Sequence, residues 1–116
     1  MNKYLLLLHE QAELMQNLSP TEMEELIESH MAWSRQLAEE GHLLAGEGLQ
    51  DHGITITGND SIVGNSTYLE AKEMIGGFYL IQAKDLDSAI AIAKNCPCHH
   101  WGGTTEIRPA AVYDGE

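Results

Sequence analysis

The stretch Leu18–Leu49, LSPTEMEELIESHMAWSRQLAEEGHLLAGEGL, predicts a capped helix that turns directly into a strand. The Ser19 hydroxyl can accept an N–H of the first turn, Pro20 suits the first helical position, and Glu22 can reach back to the cap. Gly41 is placed to end the helix, because glycine adopts a positive φ without strain. The apolar residues that follow Gly41 indicate a strand.

An apolar stripe runs along this predicted helix, at steps of three and four residues. Its members are Met23, Ile27, His30, Ser34 and Leu37, widened by Leu26 and Trp33. His30 places an imidazole in the middle of this stripe. A histidine in such a position either takes part in function or is a core residue that hydrogen-bonds a carbonyl or a carboxylate.

The composition indicates one domain of ordinary size that does not bind polyanions. The chain has 116 residues, with 18 acidic against 6 basic side chains and a net charge of -12. We expect no binding to nucleic acid or to an anionic membrane surface, because both need clustered lysine and arginine. With no apolar run near the length of a membrane span and no signal peptide, a cytoplasmic protein is expected.

Six segments have the composition of strands. They are Lys3–Leu8, His42–Ala45, Ile54–Thr57, Ser61–Val63, Phe78–Ala83 and Thr104–Arg108, the last with a possible continuation through Ala110–Tyr113. The third and fourth are expected to form a hairpin. Between the strands we predict a loop over Ala12–Leu18, a turn at Asn65–Thr67, one helical turn over Leu69–Met74, and a second helix.

That second helix is capped by Asp85 and stops before Pro97, since the residue preceding a proline disfavours helix. The element order is then strand, helix, strand, hairpin, strand, helix, strand. Without the hairpin this is the split β-α-β unit used twice, so the predicted fold is an α+β ferredoxin-like sandwich with a hairpin insertion. Its helices cover one face of the sheet only. A second copy of the protein is the usual cover for the other face, and we expect a homodimer.

Six motifs in order resemble the YCII-related family, specifically its DGPF branch, from about Lys3 to Val112. They are KYLLLLHE from Lys3, LSPTEM from Leu18, HLLAGEGL from His42, EAKEMIGGFYLI from Glu70, DLDSAI from Asp85 and GGTTEIRP from Gly102. The resemblance implies a ferredoxin-like fold that pairs sheet to sheet as a dimeric α/β barrel. It also implies a cleft that holds a histidine of the first helix and an acidic residue at the end of the first strand. These positions match His30 and Glu10.

The chain departs from the branch at its name-giving tetrapeptide. The positions of Asp-Gly-Pro-Phe carry Asn65-Ser66-Thr67-Tyr68, which keep only the final aromatic character. Asn65 cannot supply the charge of an aspartate or act as a base. Some family members resemble partners of stress sigma factors.

The main candidate site is catalytic and consists of His30 and Glu10. A carboxylate near one imidazole nitrogen fixes the tautomer and leaves the other nitrogen for acid–base work. His9 is expected on the opposite face of the strand from Glu10. Three further residues are candidates for ligand binding: Ser34 one helical turn from His30, Glu47 between two glycines, and Lys72 before the Gly76-Gly77 pair. For these glycine pairs, bulges explain the sequence better than a phosphate loop.

A second cluster, Cys96, Cys98, His99 and His100, combines soft ligand types within five residues. Zinc or copper accepts such atoms, but four ligands this close in sequence rarely complete a tetrahedron, so we predict no metal site. The Cys-x-Cys spacing is poorly placed for an unstrained disulfide, and reduced thiols are expected.

Two functions remain open at this point. The first is a small enzyme without a cofactor that uses His30 and Glu10 for proton transfer on a small, carbonyl-bearing molecule. The alternative is a non-catalytic ligand-binding or regulatory module, linked through the resemblance to stress sigma-factor signalling. The buried imidazole favours the enzyme, because burying a polar group without a purpose costs stability.

Overall fold

The computed structural model describes residues 1–59, 62–67 and 73–113. The strands in this part of the chain are β1 (Asn2–Gln11), β2 (Leu43–Gly48), β3 (His52–Thr57), β4 (Ile62–Thr67), β5 (Glu73–Ala83) and β6 (Thr104–Pro109). The helices are α1 (Ala12–Gln16), α2 (Pro20–Glu39) and α3 (Leu86–Ala93), with a 3-10 helix at Pro97–Trp101. None of the described helices is both long and apolar enough to cross a membrane.

The main sheet is four-stranded, in the order β2-β5-β1-β6, and each neighbouring pair is antiparallel. Helices α2 and α3 contact this sheet, and β3 pairs with β4 in a separate two-stranded sheet. The fold is therefore a small α+β fold with an antiparallel four-stranded sheet and three α-helices, consistent with a ferredoxin-like fold. The predicted hairpin insertion is confirmed.

The core lies between one face of the main sheet and the helices α2 and α3. Alternate residues of the central strands are buried, as expected for a sheet with one covered face. The buried apolar side chains of these elements are Tyr4, Leu6, Leu8, Trp33, Leu37, Tyr79, Ile81, Ala83, Ala89 and Ala93.

Helix α2 has the cap that the sequence predicts. The Ser19 hydroxyl accepts the Glu22 N–H at 3.1 Å, and the Glu22 carboxylate accepts the Ser19 N–H at 3.0 Å. Gly41 follows the helix with a φ of 80°. The apolar stripe, however, reaches the core only from Trp33 onward, because Met23 and Ile27 are exposed. Asp85 caps α3 in the predicted way, accepting the Ser88 N–H at 2.8 Å.

Several predicted boundaries are wrong. Strand β1 continues through Gln11, since β5 extends beside it and supplies hydrogen-bond partners beyond the apolar run. The predicted loop over Ala12–Leu18 instead begins with α1, whose alanine, glutamate, leucine and methionine are good helix formers. The predicted turn at Asn65–Thr67 belongs to β4, which pairs with β3 along its whole length.

The remaining differences concern strand ends and a connection. Strand β2 extends to Gly48, β6 ends at Pro109, and the Ala110–Tyr113 segment does not continue it. Proline lacks the N–H that would extend the ladder. Residues 69–72 of the predicted helical turn lie outside the described residues, while Glu73 and Met74 begin β5. The connection after α3 contains the 3-10 helix, which the sequence analysis did not predict.

Candidate functional site

A cavity of about 490 Å³ opens between α2 and the sheet, within the size range of small-molecule sites. Its wall combines apolar side chains of α2 with glycine-rich parts of β2 and β5. The residues that line it are Leu8, Glu10, Leu26, Ile27, His30, Met31, Ser34, Arg35, Gly46, Glu47, Gly48, Gly76, Gly77, Phe78 and Tyr79. Only a few polar groups converge in this largely apolar space.

Four of the five predicted site residues line this one cavity. His30 and Ser34 come from α2, Glu10 from the end of β1, and Glu47 from β2. Lys72, the fifth, lies outside the described residues. The structure therefore brings His30 and Glu10 to one space, although the two residues are 20 positions apart in the sequence.

The His30 imidazole is held by a tyrosine. Its Nδ1 atom lies 2.7 Å from the Tyr79 hydroxyl, and the two rings are nearly parallel, with centroids 6.0 Å apart. Burial lowers the pKa of His30 below the ordinary value of 6.5, because a desolvated imidazole resists charging. At neutral pH the ring is thus uncharged, and the tautomer is set by its bond with Tyr79.

Tyr79 is fixed on several sides. Its ring meets the edge of Trp33 with centroids 4.8 Å apart, and it lies so close to Gly46 that a Cβ there would approach it to 3.0 Å. Burial raises the pKa of Tyr79, while a hydrogen bond with Ser34 acts to lower it. The Tyr79 hydroxyl thus has two hydrogen-bond partners, His30 and Ser34. A phenol that accepts from Ser34 has its own proton for Nδ1 of His30.

The Glu10 carboxyl group lies against Gly76, at a position that a side chain on residue 76 would fill. The register of β1 against β5 shifts between Leu8 and His9, so Gly76 forms an irregularity in β5. A Cβ built on Gly76 would overlap the Glu10 carboxyl group. The glycine pair is thus a bulge, as the sequence indicates, and its function here is to admit this carboxylate.

His9 lies outside the cavity. Its Nε2 is 2.8 Å from the Glu106 carboxylate and its Nδ1 is 3.2 Å from the Glu73 carboxylate. The hydrogen bond from His9 is the main cause that lowers the pKa of Glu106. Strand alternation puts this cluster on the other face from Glu10, so His9 is not a partner of His30.

Sequence reasoning missed Tyr79, which it treated only as part of an apolar strand. A usable signal was present, because a buried tyrosine hydroxyl needs a hydrogen-bond partner and the stripe of the helix offers His30 and Ser34. Arg35 was also missed. It is a cation on the cavity wall, next in sequence to Ser34.

The second predicted cluster does not form a metal centre among the described residues. Cys96 and Cys98 are free thiols that are buried, His99 contacts Thr105, and the His100 ring packs against Trp101. The four side chains therefore do not converge on one point.

The model of the YCII-related domain family matches residues 2–111. This chain belongs to the YCII-related domain family. The predicted family is thus confirmed, with the match covering nearly the whole chain.

Among solved structures, the chain is similar to 5-chloro-2-hydroxyhydroquinone dehydrochlorinase from Burkholderia phenoliruptrix AC1100, in complex with 2,5-dihydroxybenzoquinone. The two share 19% sequence identity, with 90% of each chain covered and a TM-score of 0.49. No curated protein matches the chain significantly.

Proposed function

We propose that this YCII-related protein is an enzyme that uses Glu10 and His30 for acid–base chemistry on a small, carbonyl-bearing molecule, without an organic cofactor. The observation that carries the proposal is the cavity wall on which Tyr79 holds a neutral His30 imidazole, in the same space as the Glu10 carboxylate. Proton transfer needs one group that donates a proton and one that accepts it, and different environments give the two groups these different roles.

The proton arrangement assigns a role to each group. In this proposal Tyr79 donates to Nδ1 of His30, so Nε2 carries the ring proton, and this N–H is available to the oxygen of a bound carbonyl group. Negative charge develops on that oxygen when a neighbouring C–H loses its proton, and a fixed donor stabilises it. Glu10 is the base that takes the proton. The proton can return from Glu10 to another carbon, so the cycle consumes no co-reactant.

Other wall residues fit a ligand with an apolar body. Leu26, Ile27 and Met31 offer apolar surface along α2, and the exposure of Ile27 and Met31 leaves that surface open to a ligand. Arg35 can pair with an acidic group of the ligand, and Glu47 can accept a hydroxyl proton in a hydrogen bond. Ser34 acts through Tyr79 as a positioning residue.

The first test is an NMR pH titration of the histidine side chains, with His30 assigned by its loss in His30→Ala. In Glu10→Gln the His30 transition should move to lower pH, because removing a nearby negative charge disfavours the imidazolium ion. Glu106→Gln, on the other sheet face, is the matched control and should leave the His30 transition unchanged. A His30 that titrates like an exposed imidazole and ignores Glu10 would end the acid–base proposal and leave the cavity as a binding site.

Catalysis itself can be tested by proton exchange. We expect the protein to accelerate deuterium incorporation from D₂O into a panel of small β-dicarbonyl compounds, followed by ¹H NMR. The rate should fall by at least about tenfold in both His30→Ala and Glu10→Gln, since general acid–base catalysis contributes about 10²–10⁴-fold. Gly76→Ala tests the position of Glu10 separately from its charge, because the added methyl displaces the carboxyl group and leaves it ionisable. This variant should also lower the exchange rate. Equal rates in wild type and variants would contradict the proposal.

The uncovered face of the main sheet supports a homodimer. Leu5 pairs with Leu80 and Leu7 with Phe78 on the face away from the helices, and all four side chains are only half-buried. An apolar strip of this kind is typical of a protein interface. We propose that a second copy covers it, in the manner of a dimeric α/β barrel. Sedimentation at micromolar concentration should give a dimer that Leu80→Glu breaks and Leu86→Glu, on exposed α3 surface, does not. A wild-type monomer would overturn this assembly.

The DGPF-like branch also stays part of the proposal. It is supported by the six motifs in their order along the chain, while Asn65-Ser66-Thr67-Tyr68 replace the tetrapeptide. The acid–base chemistry proposed here uses none of these four residues, so it does not depend on the branch.

A further inference from the structure

The 3-10 helix begins at a pair of buried thiols that the proposed acid–base chemistry does not use. Cys96 and Cys98 are each 3% exposed and flank Pro97. The Cys96 thiol donates to the Cys98 sulfur, and the two Sγ atoms are 3.4 Å apart. Two sulfurs already in contact need to approach by only about 1.4 Å to reach disulfide length.

A chain of hydrogen bonds connects this pair to the surface. The Cys98 sulfur lies 3.3 Å from the Thr105 hydroxyl, and that hydroxyl lies 2.9 Å from Nε2 of His99. The His99 side chain is exposed, while Thr105 is half-buried on β6. A proton can therefore pass between the buried sulfur and solvent through Thr105 and His99 without the pair itself becoming exposed.

The surroundings distinguish the two sulfurs. The hydrogen bond from Cys96 is the largest cause that lowers the pKa of Cys98, to about 6, against the opposing effect of burial. The Thr105 hydroxyl and His99 also lower this pKa, and the negative charge of Glu10 raises it. The same hydrogen bond, together with burial, raises the pKa of Cys96. A thiolate beside a thiol is the arrangement of a nucleophile and its resolving partner.

We propose that Cys96 and Cys98 form a redox-active dithiol, in which Cys98 attacks a small hydroperoxide and Cys96 then closes a disulfide across Pro97. In the first step the Cys98 sulfur attacks one oxygen of hydrogen peroxide, the O–O bond breaks, and the leaving hydroxide takes a proton through Thr105 to become water. This oxidises Cys98 to a sulfenic acid. In the second step the Cys96 sulfur attacks Cys98, the S–O bond breaks, and the Cys96 proton leaves with that oxygen as water.

The burial of the pair restricts which oxidants fit the proposal. Sulfurs that are 3% exposed disfavour a bulky disulfide, so the proposal names hydrogen peroxide, which is about the size of two water molecules. The ring closed by residues two apart is small, and a strained disulfide is readily reduced again. The pair is thus suited to a reversible oxidation.

The test treats the folded chain with stoichiometric hydrogen peroxide, unfolds it in guanidinium chloride with iodoacetamide to block remaining thiols, and measures the intact mass. Wild type should lose two hydrogens and take up no alkyl group, and peptide mapping should link Cys96 to Cys98. Since these are the only two cysteines of the chain, a disulfide between chains is recognised on a non-reducing gel. Such a disulfide, or oxidation of wild type to sulfinic acid without loss of two hydrogens, would overturn the proposal.

Variants separate the roles. Cys96→Ser should stop at a sulfenic acid that dimedone traps on Cys98, whereas Cys98→Ser should react with peroxide at least tenfold more slowly. Thr105→Val should slow disulfide formation and Thr105→Ser restore it, with Thr104→Val on the exposed side of β6 as the matched control. Circular dichroism checks that each variant is folded. Equal rates for the two cysteine variants, or for Thr105→Val and wild type, would contradict the assignment.

Discussion

The two halves of α2 are packed in opposite ways. In the C-terminal half, Trp33 and Leu37 are 6% and 3% exposed and lie in the core, whereas Met23 and Ile27 in the N-terminal half are 36% and 49% exposed, and Ile27 lies beside the cavity. His30 lies where the two halves meet. One helix thus supplies an anchor and a cavity wall, and the imidazole at their boundary is buried enough to stay uncharged yet still lines the cavity.

This difference has a physical reason. A cavity wall that were fully packed would leave no room for a ligand, so part of the apolar stripe must stay uncovered by the protein's own chain. The N-terminal half of α2, residues 20–29, is called the open half below. It gains little free energy from burial and depends on local interactions such as its capping box. The C-terminal half, residues 30–39, is called the closed half, and it holds the helix in place against the sheet.

The largest expected effect is on the closed half. Leu37→Ala should lower the free energy of unfolding by about 2–5 kcal/mol, because it removes a buried side chain and leaves a cavity. The matched change Ile27→Ala in the open half should cost less than about 1 kcal/mol. Urea unfolding of both variants measures the contrast. Equal losses of unfolding free energy would show that the two halves are packed alike.

The cap of the open half comes next in size. Ser19→Ala should cost about 1 kcal/mol, since it leaves the Glu22 N–H without its partner and disrupts the reciprocal bond. Ser29→Ala is the control inside the same half, where the hydroxyl only donates back to the Leu26 carbonyl. That change should be nearly neutral. If Ser19→Ala is also neutral by urea unfolding, the open half is held by something other than its cap.

Local chemistry explains which parts of the fold follow from sequence. The caps at Ser19 and Asp85 and the positive φ at Gly41 depend on residues within a few positions, so their pattern predicts them directly. Helical spacing also predicted that Ile27, His30 and Ser34 share a face. It could not tell what covers that face, because the cover comes from strands that are distant in sequence.

The same reasoning applies to the candidate site. Glu10 and His30 were predicted to share a space, and they line one cavity. A carboxylate was predicted near one nitrogen of His30, and Ser34 was predicted to lie within bonding reach of it. The structure adds Tyr79 as the partner of Nδ1, which was not predicted. Its placement depends on the register of β5 against β1 and β2, which no local pattern encodes. The proximity of Gly76 to Glu10 likewise depends on a bulge whose exact position only pairing defines.

A smaller loss of unfolding free energy is expected for Tyr79, which contacts His30 at the boundary of the two halves. Tyr79→Phe removes the hydroxyl that bonds both His30 and Ser34 but keeps the ring against Trp33. It should cost about 0.5–1.5 kcal/mol, because the two partners are half-buried and can bond water instead. The distinguishing readout is the ¹⁵N NMR spectrum of His30. Wild type should show the tautomer with the proton on Nε2, and Tyr79→Phe should populate both tautomers. A wild-type proton on Nδ1 would reverse the direction of the hydrogen-bond chain from Ser34.

The smallest expected effect is on the pH dependence of stability. Because burial lowers the pKa of His30 below 6.5 in the folded protein, the unfolded chain binds the proton more readily as the pH falls past that value. Stability from this group is therefore fully present above pH 6.5 and is lost progressively below it. His30→Gln removes this titration. The difference in unfolding free energy between wild type and His30→Gln, measured by urea at about pH 7.5 and about pH 5.5, should shift against wild type at the lower pH. The other five histidines are present in both proteins, so they do not contribute to this difference. A difference that stays constant, or shifts in favour of wild type, would mean that His30 is charged in the fold, and the boundary of α2 would then be as open as its N-terminal half.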